Sequence, residues 1–169
     1  KYQWTATPLS LHGVVVKKDG TAVNVCIGED DADPVFCVTD LLPHLGKKQM
    51  ERKATEVVKG EDLNLLIGSR ALVGEEDNAV KLNILSLLHE KYSITEADFL
   101  SAELEIVPAF KARDIGLDRS MIGAYGHDDR VCAYPALTAL FENPHPAYTA
   151  VTVLADKEEI GSVGATGMQ

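Results

Sequence analysis

Basic residues are scarce in this chain: sixteen Lys and Arg stand against 26 Asp and Glu, a net charge of -10 over 169 residues. A surface with that bias repels phosphate, which argues against a nucleic-acid partner and against an anionic membrane. Long apolar runs are missing as well. No stretch approaches the roughly 20 residues of a membrane span, and no signal peptide is visible. The latter absence carries little weight, because the chain opens at Lys1 without a Met and reads as a piece of something longer. Cysteine is sparse. Cys26, Cys37 and Cys132 are odd in number and far apart, with no CxxC pair, which argues against a disulfide framework or a zinc ribbon. Each lies among apolar neighbours and reads as a small buried hydrophobe in a reducing, cytoplasmic setting. Internal repeats and low-complexity segments are absent too.

What the chain does have is apolar residues, 46% of the total, enough for a real core in one ordinary domain or two small ones. Residues 13–27, GVVVKKDGTAVNVCI, hold two β-branched runs around Lys18-Asp19-Gly20, and Asp-Gly between such runs predicts a hairpin. A short apolar run over 34–39 follows the acidic loop GEDDAD. A charged stretch, KKQMERKATEVV, reads as a frayed helix or solvated loop, and residues 63–73 read as one or two strands broken at Gly68. The apolar spacing over 78–92 fits a helix. Thr95 with Asp98 predicts a short capped helix, and the alternation of 103–107, ELEIV, predicts a strand. The first hundred or so residues therefore form a β-rich domain with one or two helices.

After Pro108 the character changes. A helix is expected over 129–142, with Val131, Tyr134, Leu137 and Phe141 on one face; Pro135 should kink it or delay its start. A buried, all-apolar strand is expected over 147–155. Helix followed by buried strand is a fragment of α/β architecture with a parallel or mixed sheet. In such sheets functional residues gather beyond the carboxyl ends of the strands.

Two acidic clusters occupy those positions. "YGHDDRVCAY" places Asp128 and Asp129 just before the helix, and "TVLADKEEIGSVG" places Asp156, Glu158 and Glu159 at the end of the strand. Alone, the first is most simply a helix cap and the second a solvated turn. Together they lie at two points that α/β topology can bring to one sheet edge. Adjacent glutamates on an extended backbone point to opposite sides, so one can bind a cation while the other takes a proton from metal-bound water. In a two-metal site a bridging carboxylate also holds the pair of ions together. Bound cations would relieve the repulsion among these carboxylates.

TPLSLHG, DLLPHL, YGHDDRVCAY and DKEEIGS, in this order, resemble the aspartyl aminopeptidase family of two-zinc metallopeptidases, in its bacterial form, over nearly the whole chain. The resemblance implies that Asp128 bridges two zinc ions, that Glu159 ligates one of them, and that Glu158 is the general base. It implies zinc as cofactor, although carboxylate-rich sites also accept Mn2+ or Co2+. Asp129 is expected to orient ligands, and Arg130 to anchor the acidic cluster. By itself His44, in DLLPHL, reads as a half-buried loop histidine; the resemblance maps it onto the histidine lent to a neighbouring subunit's active site, where it helps hold the tetrahedral oxyanion. His12, His89, His127 and His145 read as ordinary residues.

The family also uses a His upstream and an Asp and a His downstream as ligands, which places this chain as a fragment lacking several of them. The implied fold is mixed α+β: residues 1–110 a β-barrel-like inserted dimerisation domain, residues 111–169 an incomplete part of the α/β zinc-peptidase catalytic domain. The implied partners are peptides with a free, preferentially acidic N-terminal residue, and the protein itself, as a dimer or dodecamer. Two other readings stand beside this one. The isolated chain is a non-catalytic oligomerisation module, or the parent is a related two-metal aminopeptidase of different specificity. As a fragment, residues 117–169 should be poorly packed, swapped with a neighbour, or completed by a partner chain.

Overall fold

A computed structural model describes residues 4–156. The chain divides between Phe110 and Lys111 into two compact units, each mixing helix with strand. In the first, β1 (Leu9–Val16) lies between β2 (Ala22–Ile27) and β5 (Ala102–Pro108), antiparallel to both. The hairpin joining β1 to β2 closes at Asp19-Gly20, where the Asp19 carboxylate accepts the Thr21 N–H at 2.9 Å. The alternating side chains of the strands make the core. Val15 is fully buried, and Val25, Ile27 and Ile94 are buried beside it, each worth about 1.5–3 kcal/mol.

A helix covers this sheet face. Called α2 here, after the short α1 (Lys47–Met50), it runs Ala79–Tyr92 and packs Leu88 and Tyr92 on the core. The Tyr92 hydroxyl donates to the Cys26 carbonyl at 2.9 Å and accepts the Cys26 N–H, fixing the helix end to β2. Ser93 then adopts φ 54, turning the chain sharply enough to bury Ile94. A 3-10 helix, Glu96–Ser101, starts on a reciprocal cap in which the Asp98 carboxylate accepts the Thr95 N–H at 2.7 Å and its hydroxyl at 2.8 Å. That turn feeds β5 back beside β1.

Several expectations shrink. The run over 34–39 contributes only β3 (Cys37–Val38), and residues 63–73 only β4 (Leu65–Leu66), which pair with each other. The expected barrel is not seen among the described residues. The three-stranded sheet is open, with β2 and β5 as its edges.

The second unit holds the hairpin β6 (Arg113–Ile115) and β7 (Met121–Gly123), then α3 (His127–Glu142). The helix begins earlier than expected and continues past Pro135, which lacks an N–H to offer the carbonyl one turn back. The strand expected over 147–155 does not form: these residues have no regular structure, and Val151 and Val153 are 74% and 81% exposed. An isolated parallel strand has unpaired N–H and C=O groups on both sides, and among the described residues of this unit the only ladder is the β6–β7 hairpin. No residue of α3 is buried either, and the face bearing Val131, Tyr134 and Phe141 is exposed, as expected for residues 117–169 taken alone.

Two measurements test this packing. Gly13 has φ +145, and a Cβ there would collide with the Glu103 carbonyl oxygen and stand 2.9 Å from Leu104 Cα. Gly13→Ala should therefore lower the urea midpoint of the first unit by an amount equivalent to more than about 2 kcal/mol. The hydrogen bonds from Thr95 hold the Asp98 carboxyl below the usual carboxylate range. Its stabilising effect is present above the unfolded-state value of about 4 and disappears as pH falls through the lower folded-state value. Asp98→Asn should be less stable than the parent at pH 7, with the gap narrowing on acidification below about pH 4; an unchanged gap would contradict the cap.

Candidate metal centre

Asp128 and Asp129 occupy the first turn of α3, both exposed. The free N–H groups at a helix start favour a carboxylate there. The turn is set by Gly126, whose φ of +63 is left-handed and suited to glycine. Among the described residues Arg130, expected to anchor the acidic cluster, makes its hydrogen bond to the backbone. Its guanidinium folds back and donates to the Tyr125 carbonyl, so close under Gly126 that a Cβ there would stand 3.2 Å from Arg130 Nη1. The charge of Arg130 thus anchors the turn, leaving the two aspartates projecting at the helix start.

Glu158 and Glu159, the expected base and ligand, lie outside the described residues. His44 belongs to the first unit. It sits in a tight turn in which the Leu45 and Gly46 N–H groups both donate to the Leu42 carbonyl, at 2.9 and 2.8 Å. It is exposed, not half-buried. Adjacency in sequence therefore places Asp128 beside Asp129. Among the described residues no group of three or more His, Cys, Asp or Glu side chains comes together as a metal-binding set.

The structure also reveals polar groupings that spacing did not flag. His12 Nε2 stands 2.9 Å from Glu29 Oε1 and 3.1 Å from Ser10 Oγ. Ser10 and His12 are two apart on β1 and so share a face, which the period of two makes legible; Glu29, just past the end of β2, is added only by strand pairing. In the second unit an open cleft of about 710 Å³ is lined by Arg113, Asp114, Arg119 and Ile122 among others, with Arg119 Nη1 3.4 Å from Asp114 Oδ2.

Comparison with known proteins shows which family the chain belongs to. The model of one protein family, described as aminopeptidase I zinc metalloprotease (M18), matches residues 1–169. This chain belongs to the M18 family. It is 62% identical over its whole length to the probable M18 family aminopeptidase 1 of Clostridium acetobutylicum, and 53% identical over 99% of its length to that of Thermotoga maritima. The crystal structure of aminopeptidase I from Clostridium acetobutylicum superposes on all of this M18 chain with a TM-score of 0.85. That of the Thermotoga maritima M18 aminopeptidase superposes on 97% of it with a TM-score of 0.82, at 50% identity. The chain spans only about 37% of the length of the first of these curated relatives and 36% of the second.

A zinc family calls for a donor set, and the described residues of this M18 chain supply only part of one. A carboxylate such as Asp128 is a fitting oxygen ligand for Zn2+, but a zinc site draws on three or four protein donors. The chain alone should accordingly bind Zn2+ more weakly than about 1 μM in a calorimetric titration. Uptake of two tightly held ions would mean that it completes a centre by itself.

Proposed function

We propose that this chain is part of a zinc-dependent aminopeptidase that removes N-terminal residues, preferentially acidic ones, from peptides. The observation that carries the reading is the match of a zinc metalloprotease family over residues 1–169, together with 62% identity to a named aminopeptidase along the full chain. On this reading Asp128 would be the carboxylate shared by two zinc ions and Glu159 would hold one of them; Mn2+ or Co2+ are alternative occupants. The ions would supply Lewis-acid chemistry. Glu158 accepts the proton of the attacking water and delivers it to the leaving amine. Asp129, adjacent to Asp128 on the exposed first turn of α3, orients the ligands.

Residues 1–110 are the inserted oligomerisation domain, and residues 111–169 a part of the catalytic α/β domain. The division of the structure after Phe110 supports that boundary. Self-association as a dimer or dodecamer would bring His44 to a neighbouring subunit's site, a role consistent with its exposed turn. The three unpaired cysteines support a cytoplasmic setting. No helix among the described residues is long and apolar enough to cross a membrane.

A second reading concerns the chain by itself: an assembly module without activity. The chain's share of its relative's length, about 37%, favours it. One experiment addresses both. In the full-length enzyme Glu158→Gln should lower kcat for an aspartyl arylamide by several orders of magnitude while zinc content stays at the parent level. Retained turnover would remove Glu158 as the base, and cleavage by this chain alone would remove the module reading.

A further inference from the structure

His44 sits in a segment that apolar burial does not hold. Leu42 and Leu45, on either side of it, are 67% and 70% exposed, and Leu41 and Met50 are exposed as well. Its position must therefore come from polar ties. One side chain supplies two of them. Gln49, on α1, donates from Nε2 to Asp40 Oδ1 at 3.3 Å and to the Val57 carbonyl at 3.2 Å. These contacts join the residue that enters the His44 turn to a residue beyond α1, closing the segment at its base. Asp40 Oδ1 accepts the Leu41 N–H at 2.7 Å as well, so the same oxygen sets the direction in which the chain leaves for the turn.

The orientation of the Gln49 amide is settled by its surroundings. Both neighbours, a carboxylate and a carbonyl, are acceptors, so the NH2 must face them. That leaves Gln49 Oε1 buried with no partner among the described residues, a cost of about 1–3 kcal/mol. An apolar side chain of similar length would avoid that cost. The two donor contacts of Gln49 fix its amide between Asp40 and Val57.

We infer that Gln49 is a positioning residue for His44, clamping Asp40 to Val57 so that the imidazole is presented from a fixed turn. The inference rests on the proposed role of His44 at a neighbouring subunit's site. A hydrogen-bond donor to a developing oxyanion acts only when placed to within a fraction of an ångström, and a loop whose leucines are exposed needs such a tie to reach that precision.

The test uses the full-length enzyme, zinc-loaded, with an aspartyl arylamide as substrate. Gln49→Glu keeps size but replaces donors with acceptors facing acceptors; Gln49→Met removes the donors without adding charge. Each should lower kcat about ten-fold or more with KM within about two-fold, and zinc content unchanged. In a His44→Ala background neither should lower kcat further, since the clamp acts only through His44. Parent-like kcat in both variants, with His44→Ala impaired, overturns the clamp and leaves the His44 reading standing. An unimpaired His44→Ala overturns the His44 reading, and the clamp with it. Equal losses in both backgrounds, or failure of both variants to fold, assign Gln49 to stability alone and overturn the inference.

Discussion

The first unit depends on β1 being hydrogen-bonded along both edges. It is the only strand among the described residues with a neighbour on either side, and its two partners come from opposite ends of the unit's sequence. The approach of β5 is close enough at Gly13 that only a residue without a Cβ fits against the Glu103 carbonyl. Once that contact is made, Val15 and the facing side chains of β2 form a surface on which Leu88, Tyr92 and Ile94 close. The left-handed Ser93 and the Thr95–Asp98 cap follow from the same demand, since the chain must leave α2 and return beside β1 within a few residues.

Away from that core the chain is organised by polar ties. The His44 segment is fixed through Gln49 and Asp40 while its leucines face solvent. The start of α3 is fixed through Arg130 and the Tyr125 carbonyl while its aspartates face outward. In both places a structural donor satisfies backbone or carboxylate oxygen and frees a neighbouring side chain for other chemistry. Such an arrangement suits groups that act on a ligand or a partner, because a side chain already engaged in holding the fold has no valence left to offer.

The elements that were legible beforehand are those with a short-range cause. Asp19-Gly20 made the hairpin, apolar spacing made α2, and Thr95 with Asp98 made the capped turn. The expected strand over 147–155 failed for the opposite reason. Its apolar residues suit a parallel sheet, but a parallel strand exists only through neighbours distant in sequence, and none lies beside it among the described residues. Pro135 did not delay the helix: loss of one helical hydrogen bond was outweighed by the turns on either side, and α3 begins before it and continues past it.

The candidate site divides along the same line. The family was written in the motifs YGHDDRVCAY and DKEEIGS, because residue type and local spacing are enough to carry a resemblance. What the linear order left undecided was where the cations and amides point. Arg130 stands beside two aspartates in the sequence, and among the described residues it donates to the Tyr125 carbonyl. Gln49 looked like one residue of a solvated stretch and instead spans Asp40 and Val57. A hydrogen bond is chosen by direction and distance among all acceptors within reach, and that choice exists only once the backbone has brought them together.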